Sequence, residues 1–225
     1  MTPALRKAYL RAMQIDTWSA RTRGSGLAVQ APSPGATGLN EADWGELEAG
    51  VAGCRRCTLC ESRTRTVFGV GDRHAAWFVV GEAPGAEEDR QGEPFVGRAG
   101  QLLNAMLRAI ALDRNQVFIA NVLKCRPPGN RDPQPAEVAE CLPYLERQIA
   151  LVKPRIVLVV GRVAAQSLLG TDEPLARLRG RVHRYGPDAR PLVVTYHPAY
   201  LLRSPADKRK AWDDLRFARE AAGRG

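Results

Sequence analysis

The chain has 225 residues, 44% of them hydrophobic and 25% charged, with five cysteines and a formal net charge of +9. That is enough chain for one substantial α/β domain with a real core. No stretch approaches the roughly eighteen unbroken apolar residues of a membrane span, and the N-terminus lacks the basic–apolar–small order of a secretory signal, so a cytoplasmic protein is expected.

Residues 1–50 carry five Lys or Arg against five Asp or Glu, while residues 51–225 carry 28 against 19, so the positive excess belongs to the folded part. Such an excess favours a polyanionic partner such as nucleic acid; plain solubility is served by it equally well.

In chain order, residues 4–13 (ALRKAYLRAM) read as a short amphipathic helix, and residues 21–40, rich in Gly, Pro, Ser and Ala, as a flexible linker. Residues 1–45 are expected to be an N-terminal extension, serving as an interaction arm for a protein partner or as an inert leader, and 46–225 the main domain. A helix near 41–52 opens it. Four apolar runs follow, at 76–81, 116–123, 155–161 and 191–197. Each lacks the alternation of a half-exposed strand and reads as a buried parallel strand. Between the first two, Leu102, Leu103, Met106, Leu107 and Ile110 recur at helix spacing. A helical pattern also follows the second run, with Pro143 expected to bend or break it. The helix after the third run stops at Gly170. Residues 177–186 suggest a short extra strand or hairpin, and a last helix covers about 205–222. Strand–helix alternation of this kind builds a parallel sheet covered on both faces, with ligands beyond the carboxyl ends of the strands.

Cys54 and Cys57 are two residues apart in CRRC; Cys125 and Cys141 lie beyond the second strand. Four thiolates for one site suit zinc or an iron–sulfur cluster, and spacing does not choose between them. Cys60 is read as a free thiol or a backup, not a first-choice ligand.

The segments CRRC (54–57), GEAPGAEED (81–89), PFVGRAGQLL (94–103), NVLKCRPPGNRDP (121–133), Cys141 and HPAYLLR (197–203) occur in one order. From about Cys54 to Asp214 the chain resembles the family-four uracil-DNA glycosylases, which carry an iron–sulfur cluster. The resemblance implies a three-layer α/β/α sandwich around a four-stranded parallel sheet. It also implies a structural [4Fe–4S] cluster on Cys54, Cys57, Cys125 and Cys141, and a monomer that hydrolyses the N-glycosidic bond of uracil in DNA.

A glycosylase must flip its target nucleotide into a pocket. Phe95 is expected to stack on the base. The Asn121 amide is expected to pair with uracil N3–H and O4, a pattern that cytosine lacks. Gly81, Glu82 and Ala83 complete the uracil pocket. His197 is expected to donate to uracil O2 as charge builds on the leaving base. The wider superfamily often has an Asp at the place of Ala83, and a methyl group cannot activate water. Of the neighbouring carboxylates, Glu88 is expected to take the water or cation role and Glu82 to hold the loop or contact uracil. Arg98, Lys124, Arg126, Arg131 and Arg203 are candidate phosphate contacts, and Tyr200, Leu201 or Leu202 a wedge into the vacated stack. The competing reading is a non-catalytic iron–sulfur or zinc module that binds nucleic acid or carries electrons; such a module has no need of Phe95, Asn121 and His197.

Overall fold

The computed structural model describes residues 38–39 and 41–223; the amphipathic stretch at 4–13 and nearly all of the linker lie outside the described residues. In chain order the elements are α1 (Trp44–Ala52), α2 (Leu59–Ser62), β1 (Val70–Gly71), β2 (Trp77–Gly81), α3 (Ala86–Gln91), α4 (Arg98–Ala109), β3 (Val117–Asn121), α5 (Pro135–Val152), β4 (Ile156–Val160), α6 (Arg162–Leu169), α7 (Leu175–Leu178), β5 (His183–Tyr185), β6 (Arg190–Thr195), α8 (Pro198–Arg203) and α9 (Lys208–Ala222).

The four apolar runs form the centre of the sheet, in the order β3-β2-β4-β6 and all parallel. The sheet is wider than the four strands expected. Two antiparallel edge strands extend it to six, β1-β3-β2-β4-β6-β5. The β5–β6 hairpin accounts for the extra strand read at 177–186. β1 has two residues, too few for any periodicity to announce it. Its pairing depends on Gly71, where φ is +124° and an added Cβ would run into the Val117 carbonyl.

Alternate residues of each strand face opposite layers. Phe78, Val80, Phe118, Ala120, Val157 and Val159 pack in one cluster with Leu47 of α1, Leu145 and Ile149 of α5 and Ala164 of α6. Trp77, Val79, Val117, Ile119, Ile156 and Leu158 pack in the other with Leu103 and Leu107 of α4 and Leu215 and Ala218 of α9. Two helical layers on one sheet give the three-layer α/β/α sandwich.

Local chemistry sets the helix ends. Asp43 caps α1 by accepting from the Glu46 N–H at 2.9 Å, and the Glu46 side chain returns the bond to the Asp43 N–H. α5 runs through Pro143 without a break. Burying Tyr144, Leu145, Ile149 and Val152, at about 1.5–3 kcal/mol per large apolar side chain, outweighs the roughly 3 kcal/mol that an interior proline costs. Among the described residues no helix is long and apolar enough to cross a membrane.

The chain leaves β2 for β3 on one side and then crosses to β4 on the other. β2 therefore ends at a topological switch point, where open α/β sheets bind ligands.

Candidate functional site

Gly81 of β2 pairs directly with Asn121 of β3, and Val160 of β4 with Thr195 of β6. The segments after β2, β3 and β6 enclose a cleft of about 420 Å³ that is lined, among others, by Glu82, Ala83, Glu88, Phe95, Asn121 and His197. That volume suits a small flat ligand.

Phe95 holds a left-handed backbone, φ +54°, which costs a non-glycine residue about 1–3 kcal/mol. Its surroundings fix it there. Arg114 donates to the Pro94 carbonyl at 2.6 Å and to Glu93 at 2.9 Å, and Glu88 Oε1 accepts from the Val96 and Gly97 N–H groups at 3.1 and 3.2 Å. Gly100 leaves room for the Phe95 carbonyl, which a Cβ would overlap. The result is a buried ring at the cleft floor, 5.7 Å from the His197 ring, centroid to centroid.

Gly81 is the gap between these walls. A Cβ there would strike Asn121 Oδ1 and come within 2.7 Å of the Phe95 ring. Asn121 is 2% exposed, and its Oδ1 is buried without a hydrogen-bond partner among the described residues. An unmade bond of this kind costs about 1–3 kcal/mol.

His197 is the N-cap of α8. Its Nδ1 accepts from the Ala199 N–H at 3.1 Å, so the ring proton of the neutral form sits on Nε2. Burial, with Arg203 adding to it, pushes its pKa down to about 4, and the imidazole is therefore a neutral donor near pH 7. Gly161, φ +105°, lets β4 end against it; a Cβ there would lie 3.1 Å from His197 Cβ. Behind it, Thr195 donates to Asp214 Oδ2 at 2.8 Å, and Arg179 grips both Asp214 oxygens at 2.6 and 2.9 Å. Gly161, Arg179 and Asp214 were not singled out from sequence; among them only Gly161, at the end of an apolar run, carried a usable signal.

The two carboxylates expected to share the site differ in their surroundings. Both Glu82 and Glu88 line the cleft, but Glu88 is engaged by the Phe95 loop. The Glu82 carboxylate has no hydrogen-bond partner among the described residues, and burial, with Asp132 nearby, raises its pKa to about 7 against the opposing pull of Arg162.

Of the expected DNA contacts, Arg131 and Arg203 line the cleft, although Arg131 is already paired with Glu137 through both nitrogens. Arg98 is exposed on the first turn of α4, and Arg126 bonds Asn130 at 2.8 Å beside the rim. Lys124 is not a surface contact. It is 2% exposed, and its Nζ donates to the Asn121 carbonyl at 2.9 Å and to Gln148 at 2.7 Å. Leu201 is 1% exposed and packs in the core with α9, so it cannot wedge into DNA. Tyr200 and Leu202 of α8 are the exposed apolar side chains there.

On the other side of the β3 end, all five cysteines line a second pocket with Arg63, Lys124 and Tyr144. Cys60, set aside as a spare thiol, shares that pocket. All five are free of disulfides. No group of three or more His, Cys, Asp or Glu among the described residues is arranged to hold a single metal ion. Burial pushes the Cys57 and Cys125 thiols up, and Cys141 to about 12. Two sulfurs already have donors: Arg63 Nη1 to Cys125 Sγ and the Lys124 N–H to Cys141 Sγ, both at 3.2 Å.

Residues 68–216 match the uracil DNA glycosylase superfamily. The chain is 41% identical over 181 residues to a protein of Archaeoglobus fulgidus named type-4 uracil-DNA glycosylase, covering 77% of this chain and 90% of that one. It is 40% identical over 184 residues to one of that name from Sulfurisphaera tokodaii (79% and 84%) and 41% over 179 residues to one from Pyrobaculum aerophilum (77% and 91%). A cleft built around Phe95, Asn121 and His197, on a chain with these relatives, places the protein: it belongs to the uracil-DNA glycosylase superfamily, in its type-4 family.

Proposed function

We propose that the protein is a DNA-repair glycosylase that hydrolyses the N-glycosidic bond of uracil in DNA, releasing the base and leaving an abasic site. The observation that carries this reading is the buried, unpaired Asn121 Oδ1 in one cleft with the Phe95 ring and the His197 donor. Uracil N3–H answers that acceptor, whereas cytosine offers a lone pair at N3 and leaves it unmet. The flipped base stacks on Phe95, and Gly81, with no side chain, leaves it the space. As the bond to C1′ breaks, charge gathers on the base, and the Nε2–H of His197 at O2 stabilises it more in the transition state than in the substrate. The Ala199 N–H keeps that tautomer in place.

We assign the role opposite the base to Glu82. Its ionised carboxylate stabilises the developing cation on the sugar and orients the attacking water. Glu88 acts through Phe95, by holding the 94–97 loop. Arg203 and the other basic rim residues contact DNA phosphates.

We further propose that Cys54, Cys57, Cys125 and Cys141 hold a [4Fe–4S] cluster. The residues fit such a group: the thiols converge on one pocket, and N–H donors already face two sulfurs. When bound, it supplies iron–thiolate crosslinks between the segment around Cys54, the loop after β3 and α5.

The test is an oligonucleotide with a single uracil, incubated with the iron-loaded protein and then treated with alkali. Cleavage at the uracil is expected, with none at cytosine; an uncut strand refutes the activity. A brown protein with broad absorption near ~400 nm is expected for the cluster, and a colourless, zinc-loaded active protein refutes it.

A further inference from the structure

We propose that Lys124 is a positioning residue that couples the cysteine pocket to the uracil-reading end of β3. The inference rests on the readings above that the cysteines hold an iron–sulfur cluster and that Asn121 reads uracil.

Lys124 belongs to both sites. It lines the cysteine pocket, and its backbone N–H donates to Cys141 Sγ at 3.2 Å. Its ammonium lies on the other side, donating to the Asn121 carbonyl at 2.9 Å and to Gln148 Oε1 at 2.7 Å. Gln148, fully buried, passes the link on to the Phe68 carbonyl at 3.0 Å. Between Asn121 and Lys124 the chain stays attached to β2: the Val122 and Leu123 N–H groups each donate at 3.0 Å, to the Gly81 and Glu82 carbonyls. A shift of Lys124 is therefore felt at Gly81, Glu82 and Asn121 together.

Charge explains why a lysine stands here. A fully buried ammonium is tolerated only with a counter-charge. Among the described residues no carboxylate pairs with Lys124; the pocket it lines with Cys125 and Cys141 supplies a counter-charge once those thiols are deprotonated to bind iron. Iron-bound thiolates keep net negative charge, and hydrogen bonds and nearby charges set a cluster's potential. The ammonium supplies the opposing charge and, through the same atom, anchors the last residue of β3. Polar geometry at a base-reading residue requires such support, because a small displacement forfeits the bond it makes.

The experiment compares wild type with Lys124→Met and Gln148→Glu, each as iron-loaded full-length protein. Methionine keeps the length and removes the cation, so the cluster's midpoint potential should fall. KM for uracil-containing DNA should rise about tenfold with kcat changed less than threefold, the mark of lost positioning rather than lost chemistry. Affinity for abasic-site DNA, which offers Asn121 no base, should stay within twofold. Gln148→Glu sets a carboxylate against the ammonium, and should lower the potential with a smaller rise in KM. Wild-type potential and KM in Lys124→Met overturn the proposal. If Lys124→Met does not fold, an unchanged potential in Gln148→Glu overturns it, and a lowered one supports it. A colourless wild type removes the cofactor reading and this inference together; a coloured, active wild type with unchanged variants removes this inference alone.

Discussion

The uracil cleft and the cysteine pocket lie four residues apart along the chain, at Asn121 and Cys125, and they store opposite deficits. The cleft is short of a donor and a flat guest: Asn121 Oδ1 has no partner among the described residues, and His197 holds a proton on Nε2. The cysteine pocket needs positive charge before its buried thiols ionise: burial pushes Cys57 and Cys125 up, and Cys141 to about 12. The first deficit is met for the lifetime of a bound substrate. The second, on the proposed reading, is met by a permanent occupant, the cluster. A region built for turnover and one built for permanence thus differ in which kind of unsatisfied group they bury.

The largest effect that would sharpen this contrast is at the permanent site. Cys141→Ser is expected to lower Tm by more than about 10 °C, since binding energy at a structural metal site is folding energy. A thermal melt within a few degrees of wild type would mean that the pocket holds nothing structural. Next comes His197→Ala. Losing one transition-state donor is expected to lower kcat about 100–1000-fold, or about 2.7–4 kcal/mol. DNA affinity should stay nearly unchanged in gel shifts, and an equal loss of both would make His197 structural. Gly81→Ala drives a methyl group into Asn121 Oδ1 and the Phe95 ring, and should cut kcat/KM for uracil about tenfold or more while sparing abasic-site DNA binding.

Glu82 gives a pH test. With a pKa of about 7, raised by burial, it is protonated below that value. kcat/KM should therefore climb between pH 6 and 8 and level off above, and the limb should vanish in Glu82→Gln. Stability runs the other way. A carboxyl whose pKa rises on folding contributes stability below its unfolded value and loses it as pH climbs toward 7, so Glu82→Gln should melt above wild type at pH 8. The smallest effect is at the rim: Arg203→Ala should weaken binding to any DNA sequence and reduce the salt slope by about one.

Much of the cleft was legible in the sequence, because its residues sit at strand ends that apolar runs announce. Asn121 lies within one such run, Gly81 and His197 close two others, and Phe95 stands in the loop segment after the first. Other parts were hidden for physical reasons. Lys124 looked like a surface cation because lysine is seldom buried; its fate depended on α5 covering it with Gln148. Leu201 and Leu202 are neighbours on α8 with opposite exposure, 1% against 37%, and only the helix phase against α9 decides which faces out. Glu82 and Glu88 stand in one acidic stretch, but the backbone of residues 96 and 97 claims one and leaves the other.

By itself the sequence determined the four central strands, the longer helices and the residue types at the strand ends, because hydrophobic periodicity and turn chemistry act locally along the chain. Only the tertiary structure decided which polar atoms were left unpaired, which carboxylate was free, and that one buried ammonium would lie between the thiols and the base-reading strand. Those outcomes depend on desolvation and on contacts between segments far apart in sequence, and no local pattern encodes them.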